Sequence, residues 1–216
     1  MNLFTAITEP HSFTDFCPGI RVYHRYWTEE QQQTILNDIH KIAKAAPFFR
    51  PKTFSGQEFH LDLTNCGELG WIADEHGYRY EKLHPITSKP WPKMPSLIYH
   101  ESLALASAIG HQDFSPQSCL INRYPKYDGR LGSHQDKTER NHTAPIITFS
   151  FGDDCRFAVG GYKREDSLRH VRLCDGDVCV MFGPGRMLFH GVEKIHPMTG
   201  NLKQGGRISL TVRQVY

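Results

Sequence analysis

The sequence predicts a mainly β protein of the α+β class, a sandwich or jelly roll preceded by helices. Helical periodicity is confined to segments in the first half, short β-like runs crowd the second half, and turn residues separate those runs. Many short strands at close spacing are typical of sandwiches and jelly rolls. A chain of 216 residues, 39% of them apolar, is long enough for one domain with a sizeable core.

Two helices are predicted in the first half. The first covers residues 28–48, where apolar residues recur at helical spacing. Thr28 and Gln31 have the spacing of a capping box, which satisfies backbone N–H groups at a helix start. The second covers residues 95–110, and Gly110 suits a left-handed cap at its end.

The segment between the helices, residues 50–95, is predicted to be short strands, turns and loops. A long irregular stretch in a compact domain is usually functional, such as a lid or a binding loop. A meander packed on the core is the alternative. The segment is rich in aromatic residues: Phe54, Phe59, Trp71, Tyr78, Tyr80 and Trp91.

From residue 118 onward the pattern favours strands parted by turns. Asp-Gly pairs, at 128–129 and 175–176, are typical of such turns. The predicted strands are "SCLINRY", "PIITFSF", "CRFAVG", "LRHVRLC", "DVCVMFG", "RMLFHGV" and "RISLTVRQV".

Charge and cysteine content narrow the function classes. With 25 Lys and Arg against 23 Asp and Glu, the chain is nearly neutral, which argues against a protein that coats DNA but allows a locally basic groove. The six cysteines form no C-x-x-C pair, so a zinc ribbon or redox dithiol is disfavoured.

The stretch "MNLFTAITEPHSF" has no signal-peptide pattern, which predicts a cytoplasmic protein with no membrane partner. Nothing in the sequence requires more than a monomer.

A His-x-Asp tripeptide occurs at 60–62, 111–113 and 134–136. A facial iron site needs two histidines and one carboxylate on one side of the metal. Alternate residues of a strand share a face, so His-x-Asp can direct both groups at one ion. The first two copies fit ordinary surface pairs. The third, His134 and Asp136, follows a strand and a turn at the start of the β-rich half and is the predicted ligand pair.

A further histidine and two arginines lie downstream. The segment "LFHGVEKI" predicts His190 at the end of an apolar β-run. In "RISLTVRQV" polar and apolar residues alternate, so Arg207 and Arg213 share one face of the last strand. Two guanidinium groups on one face suit a small dicarboxylate, because arginine binds carboxylates bidentately. Exposure of that face to solvent is the alternative.

The order of His-x-Asp, a distant histidine and Arg-x5-Arg resembles the non-haem Fe(II), 2-oxoglutarate-dependent dioxygenases. Within them the chain resembles the AlkB family of nucleic-acid dealkylases, and most of all its bacterial type. Matching segments run in family order along nearly the whole chain: "TNCGELGW", "GYRY", "KPWPKMP", "CLINRY", "SHQDK", "GGYKR", "LFHGV" and the terminal Arg-x5-Arg.

The resemblance implies a double-stranded β-helix, or jelly roll, in one domain over residues 1–216. It implies a nucleotide-recognition lid at 50–95 and a catalytic core at 118–216. The implied catalytic residues and iron ligands are His134, Asp136 and His190. The implied 2-oxoglutarate contacts are Asn122, Tyr124, Arg207 (distal carboxylate), Ser209 and Arg213 (iron-chelating end).

On the substrate side the resemblance implies roles for Trp71, Tyr78, Thr138 and Arg164. Trp71 and His134 would flank the flipped base, Tyr78 would meet the substrate backbone, and Arg164 would lie at the pocket rim. Taken alone, a tryptophan also fits a core residue and an arginine a solvated charge.

Two positions depart from the bacterial pattern. Ser209 stands where that type has Asn, so its contact to the co-substrate is expected to be shorter, bridged by water or absent. Thr138 stands where that type has an Asp associated with recognition of the damaged base, so the base preference does not follow from the resemblance.

The implied activity is direct-reversal repair of alkylation damage in DNA, with RNA as a further substrate. Bases such as 1-methyladenine, 3-methylcytosine or etheno adducts would be dealkylated oxidatively with Fe(II), 2-oxoglutarate and O2, releasing aldehyde, succinate and CO2. The substrate would be single-stranded or flipped out, because a base inside a duplex cannot reach the iron. Two alternatives are a dioxygenase acting on a protein or small molecule and a non-catalytic jelly-roll binding module. The aromatic segment disfavours the first, and the complete ligand set disfavours the second.

Overall fold

The computed structural model describes residues 11–216, and both predicted helices are present there. Helix α1 (Glu29–Ala45) begins at the predicted capping box. Gln31 N–H donates to the Thr28 hydroxyl at 3.2 Å, and Thr28 N–H donates to the Gln31 side chain at 2.9 Å. Helix α2 (Ser96–Ala108) ends two residues before Gly110, whose φ of 89° is the left-handed conformation that glycine adopts readily.

The strands of residues 11–216 form two main antiparallel sheets and a separate hairpin. The strands are β1 (Phe13–Cys17), β2 (Ile20–Tyr23), β3 (Asp62–Gly67), β4 (Gly70–Asp74), β5 (Gly77–Glu81), β6 (Ser118–Tyr124), β7 (Leu131–His134), β8 (Ile146–Gly152), β9 (Cys155–Val159), β10 (Arg169–Leu173), β11 (Val178–Met181), β12 (His190–Ile195) and β13 (Arg207–Arg213). The larger sheet has the order β1-β2-β11-β8-β13-β6-β3, the smaller sheet has the order β10-β9-β12-β7, and the hairpin is β4-β5.

The larger sheet is buried on both faces. One face packs against α1 and α2 through residues such as Phe149, Leu210 and Val212. The other face packs towards the smaller sheet through residues such as Ile146 and Met181. The predicted mainly β, two-sheet fold with accompanying helices is therefore confirmed.

One predicted strand is wrong in its placement. The run "RMLFHGV" is not continuous, because a 3-10 turn (Gly183–Gly185) precedes it and Leu188 N–H donates back to the Gly185 carbonyl at 3.3 Å. The strand starts only at His190, which opens β12 instead of ending an apolar run. Proline and a glycine with a φ of 47° bend the chain at 183–185, which an apolar pattern does not reveal.

The segment 50–95 divides into two structural parts. Its strand β3 is the edge of the larger sheet, whereas β4 and β5 form the separate hairpin. The hairpin rests on the buried ring of Trp91, whose Nε1 donates to the Glu81 carbonyl at 2.9 Å. A Cβ at Gly70 would lie 2.2 Å from that ring, so only glycine allows β4 this close approach.

Neither helix in residues 11–216 is long and apolar enough to cross a membrane. Residues 1–10 carry most of the N-terminal stretch on which the localisation expectation depends, and they lie outside the described residues.

Candidate iron centre and co-substrate pocket

Strand pairing brings the third His-x-Asp and the distant histidine together. His134 ends β7 and pairs in register with His190 at the start of β12. Asp136 follows two residues after β7, and its two carboxylate oxygens lie 3.7 Å from His134 Nε2 and 3.8 Å from His190 Nε2. The ligand atoms of the three residues all lie within 4.8 Å of one another, which is close enough to bind one ion.

Backbone carbonyls orient both imidazoles. His134 Nδ1 lies 2.9 Å from the Gly132 carbonyl, and His190 Nδ1 lies 2.9 Å from the Leu188 carbonyl. A carbonyl accepts only from a protonated Nδ1, so Nε2 is the nitrogen that each ring presents to Asp136. Burial, reinforced by the neighbouring His134, lowers the pKa of His190 to about 4, which keeps this ring neutral at physiological pH.

Asp136 stays ionised in this setting. Its burial alone would raise its pKa, but the positive charge of Arg213 acts in the opposite direction, and the pKa of Asp136 lies below its ordinary value. Arg213 Nη2 lies 3.2 Å from both carboxylate oxygens. Two imidazoles and one carboxylate on one side of a site are the donor set of facial Fe(II) centres, so these residues fit the ion.

The other two His-x-Asp copies have ordinary surroundings. His60 Nε2 contacts Arg130 at 2.7 Å, and Asp62 is bracketed by Arg50 and Arg123 at 2.8 Å and 2.9 Å. The pair at 111–113 follows α2 at the surface. Within residues 11–216, the His134–Asp136–His190 group is the one cluster of His, Cys, Asp and Glu side chains with metal-binding spacing.

A cavity of about 540 Å³ opens beside the three candidate ligands. The structure brings every residue of the predicted site to its walls: His134, Asp136, His190, Asn122, Tyr124, Arg207, Ser209, Arg213, Trp71, Tyr78, Thr138 and Arg164. The cavity lies between the sheets, so residues distant in the sequence meet there through strand pairing.

The arginines of the last strand are buried, and some of their donor atoms lack partners in the described part of the chain. Arg207 is 1% exposed and Arg213 is 6% exposed, so the alternative of a solvent-exposed face is wrong. Arg207 Nη2 donates to Ser150 Oγ at 2.7 Å, but Nε and Nη1 of Arg207 and Nη1 of Arg213 have no hydrogen-bond partner among the described residues. A buried guanidinium with unsatisfied donors is costly, and an anionic ligand would remove that cost.

Neighbouring strands supply polar groups beside these arginines. In the register of β6 and β13, Tyr124 faces Arg207 and Asn122 faces Ser209. Burial, opposed by the charge of Arg207, raises the pKa of Tyr124 to about 12, so its hydroxyl keeps its proton and can donate to an anion. The pocket thus combines two cations with neutral donors, which suits a dicarboxylate.

Sequence reasoning missed Glu139, which connects several parts of this site. Glu139 is 3% exposed, and its Oε2 pairs with Arg186 Nη2 at 3.1 Å. Its Oε1 accepts from the Tyr80 hydroxyl and lies 3.3 Å from Arg213 Nε. Burial raises the pKa of Tyr80 well above its ordinary value, so this hydroxyl is the donor. The pattern "DKTER" gives no sign that its glutamate is buried, since charged residues are usually exposed.

We expect Glu139→Gln to lower the free energy of unfolding by about 3 kcal/mol, because breaking a buried ion pair leaves the other charge uncompensated. Urea denaturation followed by circular dichroism measures the change. Glu193→Gln is the matched control, since Glu193 pairs with Arg156 at the surface and should contribute less than about 1 kcal/mol. Equal effects of the two substitutions would contradict the expectation.

An aromatic group forms another wall of the cavity. The ring of Trp71 lies 5.4 Å from that of Tyr78 and 6.4 Å from that of Phe59. Trp71 Nε1 donates to Thr138 Oγ1 at 3.2 Å. The predicted base platform is therefore hydrogen-bonded to one of the two residues that differ from the bacterial pattern. Arg164 Nη1 donates to the Ser133 carbonyl at 2.6 Å beside the candidate ligand His134.

Comparisons with known proteins agree with this geometry. Residues 19–213 match the model of the 2OG-Fe(II) oxygenase superfamily. The chain is 39% identical over 200 residues to "Alpha-ketoglutarate-dependent dioxygenase AlkB" of Escherichia coli, covering 91% of this chain and 90% of that protein. It belongs to the AlkB family. The chain is also 38% identical over 198 residues to "Alpha-ketoglutarate-dependent dioxygenase AlkB homolog" of Caulobacter vibrioides, covering 91% of this chain and 88% of that protein.

A solved AlkB-family structure also matches the fold. The structure of OsALKBH1 superposes with a TM-score of 0.81 at 26% identity, covering 94% of this chain and all of that chain. As a member of this oxygenase family, the protein is an Fe(II)- and 2-oxoglutarate-dependent dioxygenase. Its cofactor is Fe(II), and its co-substrates are 2-oxoglutarate and O2.

Proposed function

We propose that this AlkB-family protein removes N-linked alkyl groups from bases of DNA and RNA, among them 1-methyladenine, 3-methylcytosine and etheno adducts. The observation that carries the proposal is the composition of one cavity, which is lined by the His-Asp-His group, by two buried arginines and by the Trp71 ring. An oxidising centre beside an aromatic platform suits a planar base with an alkyl substituent. Because one chain supplies every proposed group, the site needs no second copy, which supports action as a monomer.

In this proposal His134, Asp136 and His190 hold the iron. When bound with 2-oxoglutarate and O2, iron supplies the oxidation of the alkyl carbon next to nitrogen, giving succinate, CO2 and an aldehyde. Arg207 binds the distal carboxylate of 2-oxoglutarate, and Arg213 binds near the iron-chelating end. Both arginines are already fixed by the sheet, so little side-chain entropy is lost when the co-substrate binds.

The base is recognised in a flipped or single-stranded state. Trp71 and His134 flank the base, and stacking contributes about 1–3 kcal/mol per base. Tyr78, which is half exposed at the cavity wall, meets the substrate backbone, and Arg164 lies at the rim. Damage that already disrupts base pairing lowers the cost of flipping, which favours alkylated bases over normal ones.

Formaldehyde release tests the proposal directly. The protein, supplied with Fe(II) and 2-oxoglutarate, is incubated with oligonucleotides carrying 1-methyladenine, 3-methylcytosine or an etheno adduct, and aldehyde and repaired base are quantified. We expect repair of single-stranded substrates together with stoichiometric succinate. Turnover of none of them would refute the proposal and favour a protein or small molecule as substrate.

Thr138 is expected to set the preference among lesions. Its hydroxyl accepts from the Trp71 indole and carries no charge, whereas a carboxylate there would attract cationic bases such as 3-methylcytosine. We expect Thr138→Asp to raise the ratio of kcat/KM for 3-methylcytosine over that for neutral 3-methylthymine by about tenfold, since each factor of ten is 1.4 kcal/mol.

Thr138→Ser is the control for this substitution, because serine keeps the hydroxyl that accepts from Trp71. We expect its ratio to equal that of the unmodified protein. A Thr138→Asp variant with an unchanged ratio would show that this position does not contact the base.

A further inference from the structure

Two polar residues form hydrogen bonds with Trp71. Thr138 accepts from its indole, and Asn65 binds its backbone. Asn65 Nδ2 donates to the Trp71 carbonyl at 3.0 Å, and Trp71 N–H donates to Asn65 Oδ1 at 3.0 Å. The asparagine is fully buried in β3. Its amide therefore makes with Trp71 the same donor and acceptor pair that a neighbouring strand would make.

The hairpin that carries Trp71 lies apart from the two main sheets. Strands β4 and β5 pair with each other and belong to neither main sheet. Isolated two-stranded hairpins are at best marginally stable in water. Trp71 faces Tyr80 across this hairpin, and the amide of Asn65 connects its other side to β3.

The support also links two parts of the cavity. Strand β3 pairs with β6, and β6 pairs with β13, which carries Arg207 and Arg213. The backbone of Trp71 is thus fixed relative to the same rigid sheet that presents the arginines. Its indole is fixed separately by the hydrogen bond to Thr138.

We propose that Asn65 is a positioning residue for the nucleic-acid substrate, because its amide sets the angle at which Trp71 enters the cavity. The inference rests on the proposed role of Trp71 as the base platform. Asparagine suits the position because it offers one donor and one acceptor on a short side chain, whereas aspartate offers acceptors only. Asn65 contacts neither the candidate iron ligands nor the arginines in the hydrogen bonds described.

The test compares three variants of the full chain. Asn65→Ala removes both hydrogen bonds, and Asn65→Asp keeps the shape but places a carboxylate oxygen against the Trp71 carbonyl. Thr64→Val is the matched control, because Thr64 is the preceding residue of β3, is fully buried and donates its hydroxyl to the Ala46 carbonyl at 2.8 Å. If Asn65→Ala does not fold, Asn65→Asp supplies the same comparison.

Two readouts separate positioning from general stability. One is the fluorine NMR spectrum of protein labelled with 5-fluorotryptophan, in which Trp71→Phe identifies the line of Trp71. The other is the separation of KM for a methylated oligonucleotide from kcat and from KM for 2-oxoglutarate. A substitution that only destabilised the fold would not alter KM for the oligonucleotide alone.

We expect both Asn65 variants to broaden or shift the Trp71 line and to raise KM for the oligonucleotide about tenfold, which is about 1.4 kcal/mol and lies within the range of about 1–3 kcal/mol for stacking of one base. The kcat and the KM for 2-oxoglutarate should not change, and Thr64→Val should change none of these quantities. An unchanged oligonucleotide KM, or an equal rise in Thr64→Val, would overturn the proposal. If the unmodified protein repaired no oligonucleotide, the proposed function would fall, and an unchanged Trp71 line would still refute the role of Asn65.

Discussion

Alanine in place of His134 is expected to abolish both Fe(II) binding and 2-oxoglutarate turnover. The loss of a residue that merely orients a metal ligand costs about 10–100-fold in affinity, so loss of the ligand itself should exceed that range. The remaining Asp136 and His190 offer two ligand groups, and a facial iron site needs three. Titration with Co(II), followed by its visible absorption, measures binding without turnover, and succinate formation measures activity.

His111→Ala is the control for that substitution, because it changes the corresponding histidine of the 111–113 copy. His111 follows α2 and lies outside the His134–Asp136–His190 cluster. We expect metal binding and succinate formation to be unchanged. Loss of metal binding in His111→Ala with retention in His134→Ala would contradict the site described here.

The sequence predicted those parts of the fold that depend on local pattern. The capping box at Thr28 and Gln31 is a contact between neighbours in the chain, so spacing alone reveals it. The face shared by Arg207 and Arg213 follows from the two-residue period of a strand. The burial of that face could not be derived from the strand, because it depends on the second sheet that covers it.

Features that depend on tertiary contacts were beyond prediction. The apolar residues before His190 predict a strand that ends there, whereas the turn at 183–185 and the buried Arg186 occupy that stretch. The hydrogen bond from Trp71 to Thr138 joins residues 67 positions apart. The family resemblance identifies the residues of the site, whereas the hydrogen bonds and ion pairs between them are visible only in the structure.

Two donor atoms of the buried Arg207 have no partner within residues 11–216, which favours binding of an anionic ligand over stabilisation of the fold as the reason for its burial. A buried charge that contributed to the folded state would have its donors satisfied, yet Nε and Nη1 have no partner among the described residues. Even a buried ion pair can often be replaced by apolar residues of similar volume with no loss of stability or with a gain of about 1–4 kcal/mol, so a buried charge without a partner is expected to cost stability as well. Arg207 is therefore expected to lower the stability of the fold when no anion is bound.

Arg207→Met is accordingly expected to have opposite effects on stability and on function. Without 2-oxoglutarate, the free energy of unfolding should be unchanged or about 1 kcal/mol higher, because a buried unpaired charge is removed. KM for 2-oxoglutarate should rise between about 30-fold and about 4,000-fold, since losing one partner of a buried charge pair costs about 2–5 kcal/mol. The rise of Tm that 2-oxoglutarate causes in the unmodified protein should vanish in the variant.

Arg156→Met tests whether these effects are specific to the cavity. Arg156 lies on β9 with its side chain half exposed and paired with Glu193 at 3.2 Å, so its removal changes net charge equally without touching the pocket. We expect it to leave both KM and the Tm rise unaltered. If Arg207→Met instead lowered Tm and kept KM for 2-oxoglutarate, Arg207 would be a structural residue, since its hydrogen bond to Ser150 would then outweigh the cost of its unpaired donors.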